Sequence, residues 1–309
     1  MSQKRRLKWA AVPAAASLVL FLSGCATSEA GDPARGYLPG PADNVPVTNH
    51  TNDIVGLWTT SWIVLLVVGV ISWGLLGYAA IAYRRRKNDE GLPVQLRYNM
   101  PIETLFTVVP LILVVGFFAY TAKTMANIET PNGATTKVAV VGKQWSWDFG
   151  YQDTANPDNS VYDQGVQLSD NAFKAGDPVF NANNKDNMHV TGEPVLYLEV
   201  NQPVELELHS RDVIHSFWVV DFLYKKDVFP GNDNNHVYLT PTREGTYEGK
   251  CAELCGEYHS AMLFQVKVVG HQEYVDHLAS LRAAGFVGNI LDPALDRNVS
   301  GDNNPAASK

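Results

Sequence analysis

The residues best suited to chemistry lie in one short stretch, Cys-Ala-Glu-Leu-Cys-Gly-Glu-Tyr-His-Ser-Ala-Met, from position 251 to 262. It supplies thiols at Cys251 and Cys255, an imidazole at His259 and a thioether at Met262. A second candidate imidazole, His215, lies well upstream in Asp-Val-Ile-His-Ser-Phe-Trp. Thiolate, thioether and imidazole donors together are typical of copper sites. Single-copper electron-transfer sites use one cysteine, so two cysteines predict two metal ions bridged by thiolates.

Two other interpretations of the cysteines remain open on the residues alone. A disulfide between Cys251 and Cys255 is the simplest state for an exported domain, but it does not require His259 and Met262 beside it. A Cys2His2 zinc site is the second alternative. Zinc motifs usually pair two close cysteines with two close histidines, whereas here His215 is remote and Met262 would have no role. The donor set therefore favours copper.

Residues 1–24 have the pattern of an export signal, with a basic start, an apolar run and then small residues. This pattern predicts a lipoprotein signal peptide. The segment Leu-Ser-Gly-Cys that ends at Cys25 resembles a bacterial lipobox, so cleavage before Cys25 and acylation of its thiol are expected. An uncleaved anchor helix is the alternative. Residues 25–53 are rich in glycine, proline, asparagine and aspartate, which predicts an exposed linker.

Residues 54–124 contain two apolar runs, Leu57 to Tyr83 and Leu105 to Ala122. The first run would span about 40 Å as a helix at ~1.5 Å per residue, enough to cross a hydrocarbon core of about 30 Å. The basic run at 84–87 places the connecting loop in the cytoplasm by the positive-inside rule. The pattern predicts a two-helix transmembrane hairpin in a bacterial cell membrane, with the metal site outside the cytoplasm. Buried helices of a soluble protein are the alternative.

Residues 136–270 switch to short runs with strand patterns. Val-Glu-Leu-Glu-Leu, beginning at Val204, alternates apolar and acidic residues, as a half-buried strand does. Other candidate strands cover residues 137–141, 144–149, 194–200, 236–239 and 262–269. Strands at this spacing predict an all-β sandwich or barrel. Residues 153–190, in which 13 of 38 positions are asparagine or aspartate, predict a surface insertion. Residues 271–309 predict an amphipathic helix and a mobile tail.

The charge balance bears on partners. The chain carries a formal net charge of -8, and residues 137–270 contain 10 basic and 19 acidic residues. Such a surface argues against nucleic acid, which recruits basic patches. It favours either a cationic partner steered by the field or plain solubility, and charge alone does not choose between them.

Over residues 50–270 the chain resembles subunit II of the haem-copper cytochrome c oxidases. The motif Cys-x-Glu-x-Cys-x3-His-x2-Met carries the resemblance. It implies a cupredoxin-like copper domain, with a binuclear copper A centre held by the main-chain carbonyl of Glu253 and by the side chains of His215, Cys251, Cys255, His259 and Met262. It also implies that the Glu253 side chain is directed at a magnesium ion shared with subunit I. A solvated loop carboxylate is the alternative for Glu253.

The motif Gln-Trp-Ser-Trp-Asp-Phe, at residues 144–149, resembles the aromatic motif of the same family. The resemblance implies that electrons from cytochrome c enter through Trp145. A tryptophan on a strand is otherwise most often part of a core or a barrel cap. The family usually has an aromatic residue where this chain has Ser146, so the docking face is expected to differ in detail.

Further positions match the family less specifically. Glu103 matches an acid near the mouth of a proton channel in subunit I, although an acid in the first turn of a helix is also favoured by the helix dipole. Lys225 and Asp227 match a segment that faces subunit I. Asp212 is a candidate for an acidic docking face, although Arg211 beside it weakens the local field. The remaining histidines are expected to be surface or structural residues: His50, His189, His209, His236, His271 and His277.

The function that the resemblance implies is that of a membrane-anchored subunit of a cytochrome c oxidase. It would accept electrons from cytochrome c, or from a membrane-held cytochrome c domain of a bc1-type complex contacted by the insertion. Haem would lie only in the partner subunit I, where oxygen is reduced to water and protons are pumped, and subunit III would complete the complex. Subunit II of a quinol oxidase would lack the copper ligands, the copper domain of a nitrous-oxide reductase would lack the hairpin, and a copper carrier would leave Glu103 and Trp145 without a role.

Overall fold

The computed structural model describes residues 45–86, 91–92, 95–131, 133–165, 193–232 and 234–292. The export signal, Cys25, His189, most of the linker and the tail after Asp292 lie outside these residues. Within them the chain forms two long helices, ten strands in two sheets and one shorter helix. The predicted class, two apolar helices followed by an all-β cupredoxin-like sandwich, is confirmed.

The two long helices are apolar on every side. Helix α1 covers Thr51–Ala82 and helix α2 covers Met100–Glu129, and the most apolar stretch of each is exposed on the protein surface. A helix that is hydrophobic all round needs an apolar environment, and both helices are long enough to cross a bilayer. Their length and composition therefore suit a membrane.

The first five-stranded sheet runs in the order β3-β2-β1-β5-β8. Its strands, in chain order, are β1 Thr136–Lys143, β2 Ser146–Gln152, β3 Val161–Gln164, β5 Val204–Ser210 and β8 His236–Leu239. The pair β1 and β5 is parallel and the other neighbours are antiparallel. The predicted alternation is confirmed in β5, where Val204, Leu206 and Leu208 are buried and the glutamates between them are partly exposed.

The second sheet runs in the order β4-β10-β9-β6-β7. Its strands, in chain order, are β4 Val195–Glu199, β6 His215–Val219, β7 Tyr224–Val228, β9 Gly245–Cys251 and β10 Leu263–Val269. Aromatic rings from both sheets meet between them: Trp147 and Phe149 pack edge-on against Phe264, which stacks on Phe217. This buried aromatic layer fixes the two sheets face to face beneath the site.

Two sequence predictions need correction here. Residues 161–164, placed inside the predicted surface insertion 153–190, form strand β3, whose Val161 is buried against the core. Hydrogen bonding to β2 therefore makes these residues part of the sheet, and the described chain leaves the sandwich only after Gly165. The strand predicted to begin at Gln144 begins at Ser146, because Gln144 and Trp145 form the turn between β1 and β2.

Helix α3, His271–Ala283, follows β10 as predicted and buries Tyr274 and Leu281. Between them His277 stacks on the Tyr197 ring at 3.7 Å between ring centroids. Its Nε2 atom is buried without a hydrogen-bond partner among the described residues. Burial, reinforced by the Lys267 ammonium group, lowers the pKa of His277 to about 4. The residue is therefore a neutral part of the packing, as expected for a histidine outside the metal site.

This lowered pKa predicts a pH-dependent stability. Between about pH 6.5 and 4 the unfolded chain binds a proton at His277 that the folded chain does not, so stability is lost as pH falls through this window. The loss should be on the order of 1 kcal/mol, since partial solvent exposure weakens the effect. A His277→Phe variant of the full chain, which keeps the stacking, should show a shallower fall of its thermal midpoint over this range. Parallel curves for the two chains would contradict the assignment.

Candidate metal centre

The candidate metal ligands converge at one end of the second sheet. His215 is the first residue of β6 and Cys251 is the last residue of β9. These antiparallel strands pair with Phe217 opposite Cys251, so the imidazole and the thiol come from neighbouring strand ends. The loop after β9 carries Cys255, makes a short turn at His259–Ala261 and returns to the sheet through Met262.

The donor atoms lie within a few ångströms of one another. Cys251 Sγ and Cys255 Sγ are 3.9 Å apart. On one flank, His215 Nδ1 lies 3.9 Å from Cys251 Sγ. On the other, Cys255 Sγ lies 3.6 Å from His259 Nδ1 and 3.7 Å from Met262 Sδ. The structure thus brings together all five side chains that the sequence singled out, with the two thiols in the middle.

The carbonyl of Glu253 completes this group, because its oxygen lies 3.2 Å from Cys251 Sγ. The Glu253 side chain is exposed, which leaves its carboxylate available to a group outside this chain. His215, Cys251, Cys255 and Met262 are buried, whereas His259 is only partly so. The site is therefore a largely dry cluster that reaches the surface at His259.

The carboxylate of Asp212 orients the imidazole of His215. Its Nε2 atom lies 2.8 Å from Asp212 Oδ1, which leaves Nδ1 directed at Cys251. A side chain at Gly142 would bring a Cβ atom within 2.9 Å of the His215 ring, so the glycine is required for the ring to fit. Burial lowers the pKa of His215, but the hydrogen bonds and negative charges of Asp212 and Cys251 together outweigh it, so the pKa is raised. Carboxylate partners of this kind orient metal-binding histidines and increase their basicity.

The two thiols titrate as a pair. The hydrogen bond from the Cys255 thiol, together with His215, lowers the pKa of Cys251 to about 3 against the opposing effect of burial. The same hydrogen bond and burial raise the pKa of Cys255. The pair therefore loses one proton readily, and the charge of that thiolate opposes ionisation of the second thiol beside it.

Trp145 lies directly against the cysteine loop. Its indole N–H donates to the carbonyl of Cys255 at 3.2 Å, and its ring meets Tyr258 edge-on at 4.8 Å. Gly256 has a φ of +127°, and a Cβ atom there would lie 2.9 Å from the Trp145 ring. The tryptophan is thus a partly exposed contact between the surface and the cysteine loop rather than a member of the sandwich core.

Ser146 differs from the expected aromatic residue for a visible reason. The side chain is buried, and a Cβ atom at Gly165 would come within 2.2 Å of its Oγ atom. The main chain at Gly165 also donates a hydrogen bond to Trp147. Because the chain that follows β3 crosses here, the position has room only for a small side chain.

Glu103 lies far along the chain from this cluster, in the first turn of α2. Its Oε1 atom accepts a hydrogen bond from the main-chain N–H of Asn99 at 2.9 Å. The contact satisfies one of the unpaired donors at the start of a helix. Glu103 is therefore at least a helix-capping residue, and its relation to a proton channel stays a prediction.

Sequence reasoning missed a buried ionic group beside the site. Asp148 is fully buried between Lys143 Nζ at 2.7 Å and Arg211 Nη1 at 3.3 Å. Arg211 also donates its main-chain N–H to Gly142, so this group ties the β1–β2 hairpin to the segment that leads into His215. Charged residues within strand patterns were the sequence feature that could have indicated this buried ionic group.

A second set of possible ligands, Glu205, Glu207 and His236, has side-chain donors within 4.8 Å of one another. A cation already lies among them, since Lys137 Nζ is 3.0 Å from Glu205 and 3.6 Å from Glu207. The other Glu205 oxygen contacts His236, and Glu207 also accepts from Gln152. With Lys137 between the two glutamates, the set is an ion-pair network on the sheet.

Comparison with known proteins agrees with this geometry. A sequence profile described as "Cytochrome C oxidase subunit II, periplasmic domain" matches residues 136–269. A probable cytochrome c oxidase subunit 2 of Streptomyces avermitilis is 42% identical over 257 residues, which cover 79% of this chain and 80% of the relative. The chain belongs to the cytochrome c oxidase subunit II family. A second subunit 2, of Corynebacterium glutamicum, is 32% identical over 292 residues, covering 84% of this chain and 81% of the relative.

Among solved structures, the periplasmic domain of subunit II of cytochrome oxidase (CoxB) of Bradyrhizobium japonicum matches with a TM-score of 0.37 and 25% identity. The match covers 50% of this chain and 97% of that one. The family resemblance inferred from the motifs is confirmed by the sequence relatives.

The donors present in this subunit II fit copper. Two thiols at bridging distance, two imidazoles and a thioether form a set of soft and borderline ligands, which suits copper better than magnesium or calcium. The cysteines are both free thiols in the structure. The Met262 thioether lies beside Cys255, where it can serve as a copper ligand. A zinc site, which uses thiolate, imidazole and carboxylate ligands, would leave this thioether without a role.

Proposed function

We propose that this subunit is the first electron acceptor of a cytochrome c oxidase, with a binuclear copper A centre in the cluster around Cys251 and Cys255. The observation that carries the proposal is the pair of thiols 3.9 Å apart, with one imidazole Nδ1 atom near each. Copper held by His215, Cys251, Cys255, His259, Met262 and the Glu253 carbonyl would supply one-electron transfer with little change in geometry between redox states.

The protein's own residues suit this relay in three ways. The strand ends and the loop after β9, whose Cys255 carbonyl is hydrogen-bonded by Gln144 and Trp145, hold the donors in one arrangement, which limits rearrangement during electron transfer. Asp212 fixes the ring of His215 so that its Nδ1 atom faces the thiols. Trp145 provides a contact between the surface and the carbonyl of Cys255, and we assign it the role of receiving electrons from the donor.

The electron donor on this proposal is cytochrome c, or a membrane-held cytochrome c domain of a bc1-type complex. The excess of acidic over basic residues in 137–270 favours association with a cationic surface. The chain enters and leaves residues 166–192 beside Ser146, since a Cβ atom at Gly165 would lie within 3 Å of both Ser146 and Pro194. The two ends of this segment thus lie next to Trp145, which supports a role of the insertion in contacting the donor.

Deletion of residues 166–192 should then slow electron transfer from the native donor.

The two long apolar helices support a membrane arrangement. We propose that α1 and α2 form a hairpin with its loop in the cytoplasm and the copper domain outside, in contact with oxidase subunits I and III. In that arrangement Glu103 lies at the mouth of a proton channel, and the Glu253 carboxylate is directed at a magnesium ion shared with subunit I. Haem is expected only in subunit I, where oxygen is reduced to water with proton pumping, and acylated Cys25 would add a lipid anchor.

Purification of the tagged chain from its native membranes in mild detergent tests this function. Haem and a large polytopic subunit should co-purify with it, and the preparation should oxidise ferrocytochrome c with consumption of oxygen. A preparation that oxidises quinol but not ferrocytochrome c would favour a quinol oxidase. A chain that carries copper without haem or partner subunits would favour a copper carrier.

A further inference from the structure

Gln144 contacts both of the segments that carry the candidate ligands. Its main-chain N–H donates to Asp212 Oδ2 at 2.6 Å, and its side-chain Nε2 donates to the carbonyl of Cys255 at 2.7 Å. The other oxygen of Asp212 lies 2.8 Å from His215 Nε2. A single residue in the turn between β1 and β2 therefore connects the imidazole at the start of β6 with the thiol in the loop after β9.

These two segments need such a connection because the sheet holds only part of the site. Strands β6 and β9 are paired as far as Phe217 and Cys251, and the chain from Cys255 to His259 then leaves the sheet. Loops outside a hydrogen-bonded ladder move more than the elements they join. The carbonyl of Cys255 accepts hydrogen bonds from Gln144 Nε2 and from Trp145 Nε1. The turn between β1 and β2 therefore holds this loop in place.

The chemistry of glutamine suits this position. Its amide offers two donors and an acceptor on a planar group, and the Cys255 carbonyl can accept two hydrogen bonds because oxygen has two lone pairs. Cys255 is buried, with 3% of its surface exposed, so water cannot easily replace a lost donor. A carboxylate of the same shape would instead place an oxygen against the carbonyl oxygen. The contact is thus specific for a donor rather than for shape.

We propose that Gln144 is a positioning residue for the copper centre. It holds the Cys255 carbonyl through its side chain and, through its main chain and Asp212, the ring of His215, so that the two ligand segments keep a fixed separation. This inference rests on the proposed copper function and adds to it a residue that is not one of the proposed ligands. Outer partners of metal ligands commonly change metal affinity by about 10-fold to 100-fold when they are removed.

The test uses the full-length subunit in its purified complex, with three variants. Gln144→Met keeps the length of the side chain and removes the donor, and Gln144→Glu keeps the shape and replaces the donor by an acceptor. Gln152→Met is the matched control, since Gln152 lies on the same hairpin but donates to Glu207, away from the metal site. Copper loss to a chelator, the EPR spectrum and the unfolding midpoint of the copper-free chain are measured for each.

We expect Gln144→Met to lose copper on the order of tenfold faster than the unchanged chain, with altered copper hyperfine splittings, and Gln144→Glu to lose it faster still. Gln152→Met should match the unchanged chain in both readouts, and the copper-free midpoints of the two methionine variants should agree. In combination with Asp212→Asn, the Gln144→Met effect should be non-additive, as for residues in one network.

Unaltered EPR and copper loss in Gln144→Met, or equal changes in Gln152→Met, would overturn the positioning role. So would a copper-free midpoint lowered in proportion to the copper loss, because Gln144 would then act on folding alone. If Gln144→Met does not fold, Gln144→Glu gives the same decision. Absence of two coppers in the unchanged chain would instead refute the proposed function, which keeps the two failures distinguishable.

Discussion

Replacing Cys255 with serine is expected to abolish the proposed binuclear copper centre. Cys255 Sγ is the central donor, lying within 4 Å of Cys251 Sγ, His259 Nδ1 and Met262 Sδ. A serine hydroxyl stays protonated near neutral pH and is a hard ligand, so it cannot bridge two soft metal ions. Copper content should fall from two per chain to one or none. Oxidation of ferrocytochrome c should fall by about 100-fold or more, at least as much as the loss of an outer partner costs.

The control for this change is Ser216→Ala, which removes a buried hydroxyl that has no hydrogen-bond partner among the described residues. It lies next to His215, and alanine keeps the main-chain N–H of this residue that hydrogen-bonds Cys251, so copper content and turnover should stay unchanged. Copper is measured by elemental analysis and turnover by oxygen uptake. Retention of two coppers in Cys255→Ser would show that the cysteine is not a bridging ligand.

Replacing Trp145 with leucine is expected to separate electron transfer from copper binding. The change removes the indole N–H that donates to Cys255 and the ring that meets Tyr258, but it removes no proposed ligand. Two coppers should remain. Because misplacing a reacting group can change rates by about 100-fold, we expect a fall of that order in the rate at which ferrocytochrome c reduces the copper, followed by stopped-flow absorbance.

The matched control is Trp218→Leu on β6. Trp218 is partly exposed like Trp145, but its ring packs under Lys250 Nζ at 4.5 Å rather than against the cysteine loop. Its loss should leave the reduction rate within about twofold, as for a surface change away from a special feature. An equal slowing in both variants would indicate general damage to the docking face, and an unaffected Trp145→Leu would remove Trp145 from the electron path.

Periodicity and ligand chemistry were enough to predict the main architecture. Long apolar runs with a basic loop between them predicted the two helices, and alternation in β5 predicted a half-buried strand, because both patterns follow directly from which side faces water. The candidate ligands between Cys251 and Met262 could be singled out because soft donors at close spacing have few other uses. The sequence alone could not show that these residues meet His215 in space, since that contact depends on the pairing of β6 with β9.

The residues that sequence reasoning misjudged are those whose role depends on contacts between distant segments. Asp212 was taken as a candidate for an acidic docking face, yet it is half-buried and binds His215 and the main chain of Gln144. Strand β3 was hidden in an asparagine-rich and aspartate-rich stretch because its pairing with β2, rather than its composition, fixes it. Asp148 is buried only because Lys143, at the end of β1, and Arg211, directly after β5, converge on it.

The most direct test of the central claim is the EPR spectrum of the purified, oxidised subunit, recorded on a sample with a measured copper content. The account predicts two coppers per chain, with one unpaired electron shared equally between two copper nuclei in a mixed-valence spectrum. One copper per chain with the simple four-line pattern of a single copper nucleus would contradict it, because the two thiols would then serve one metal ion.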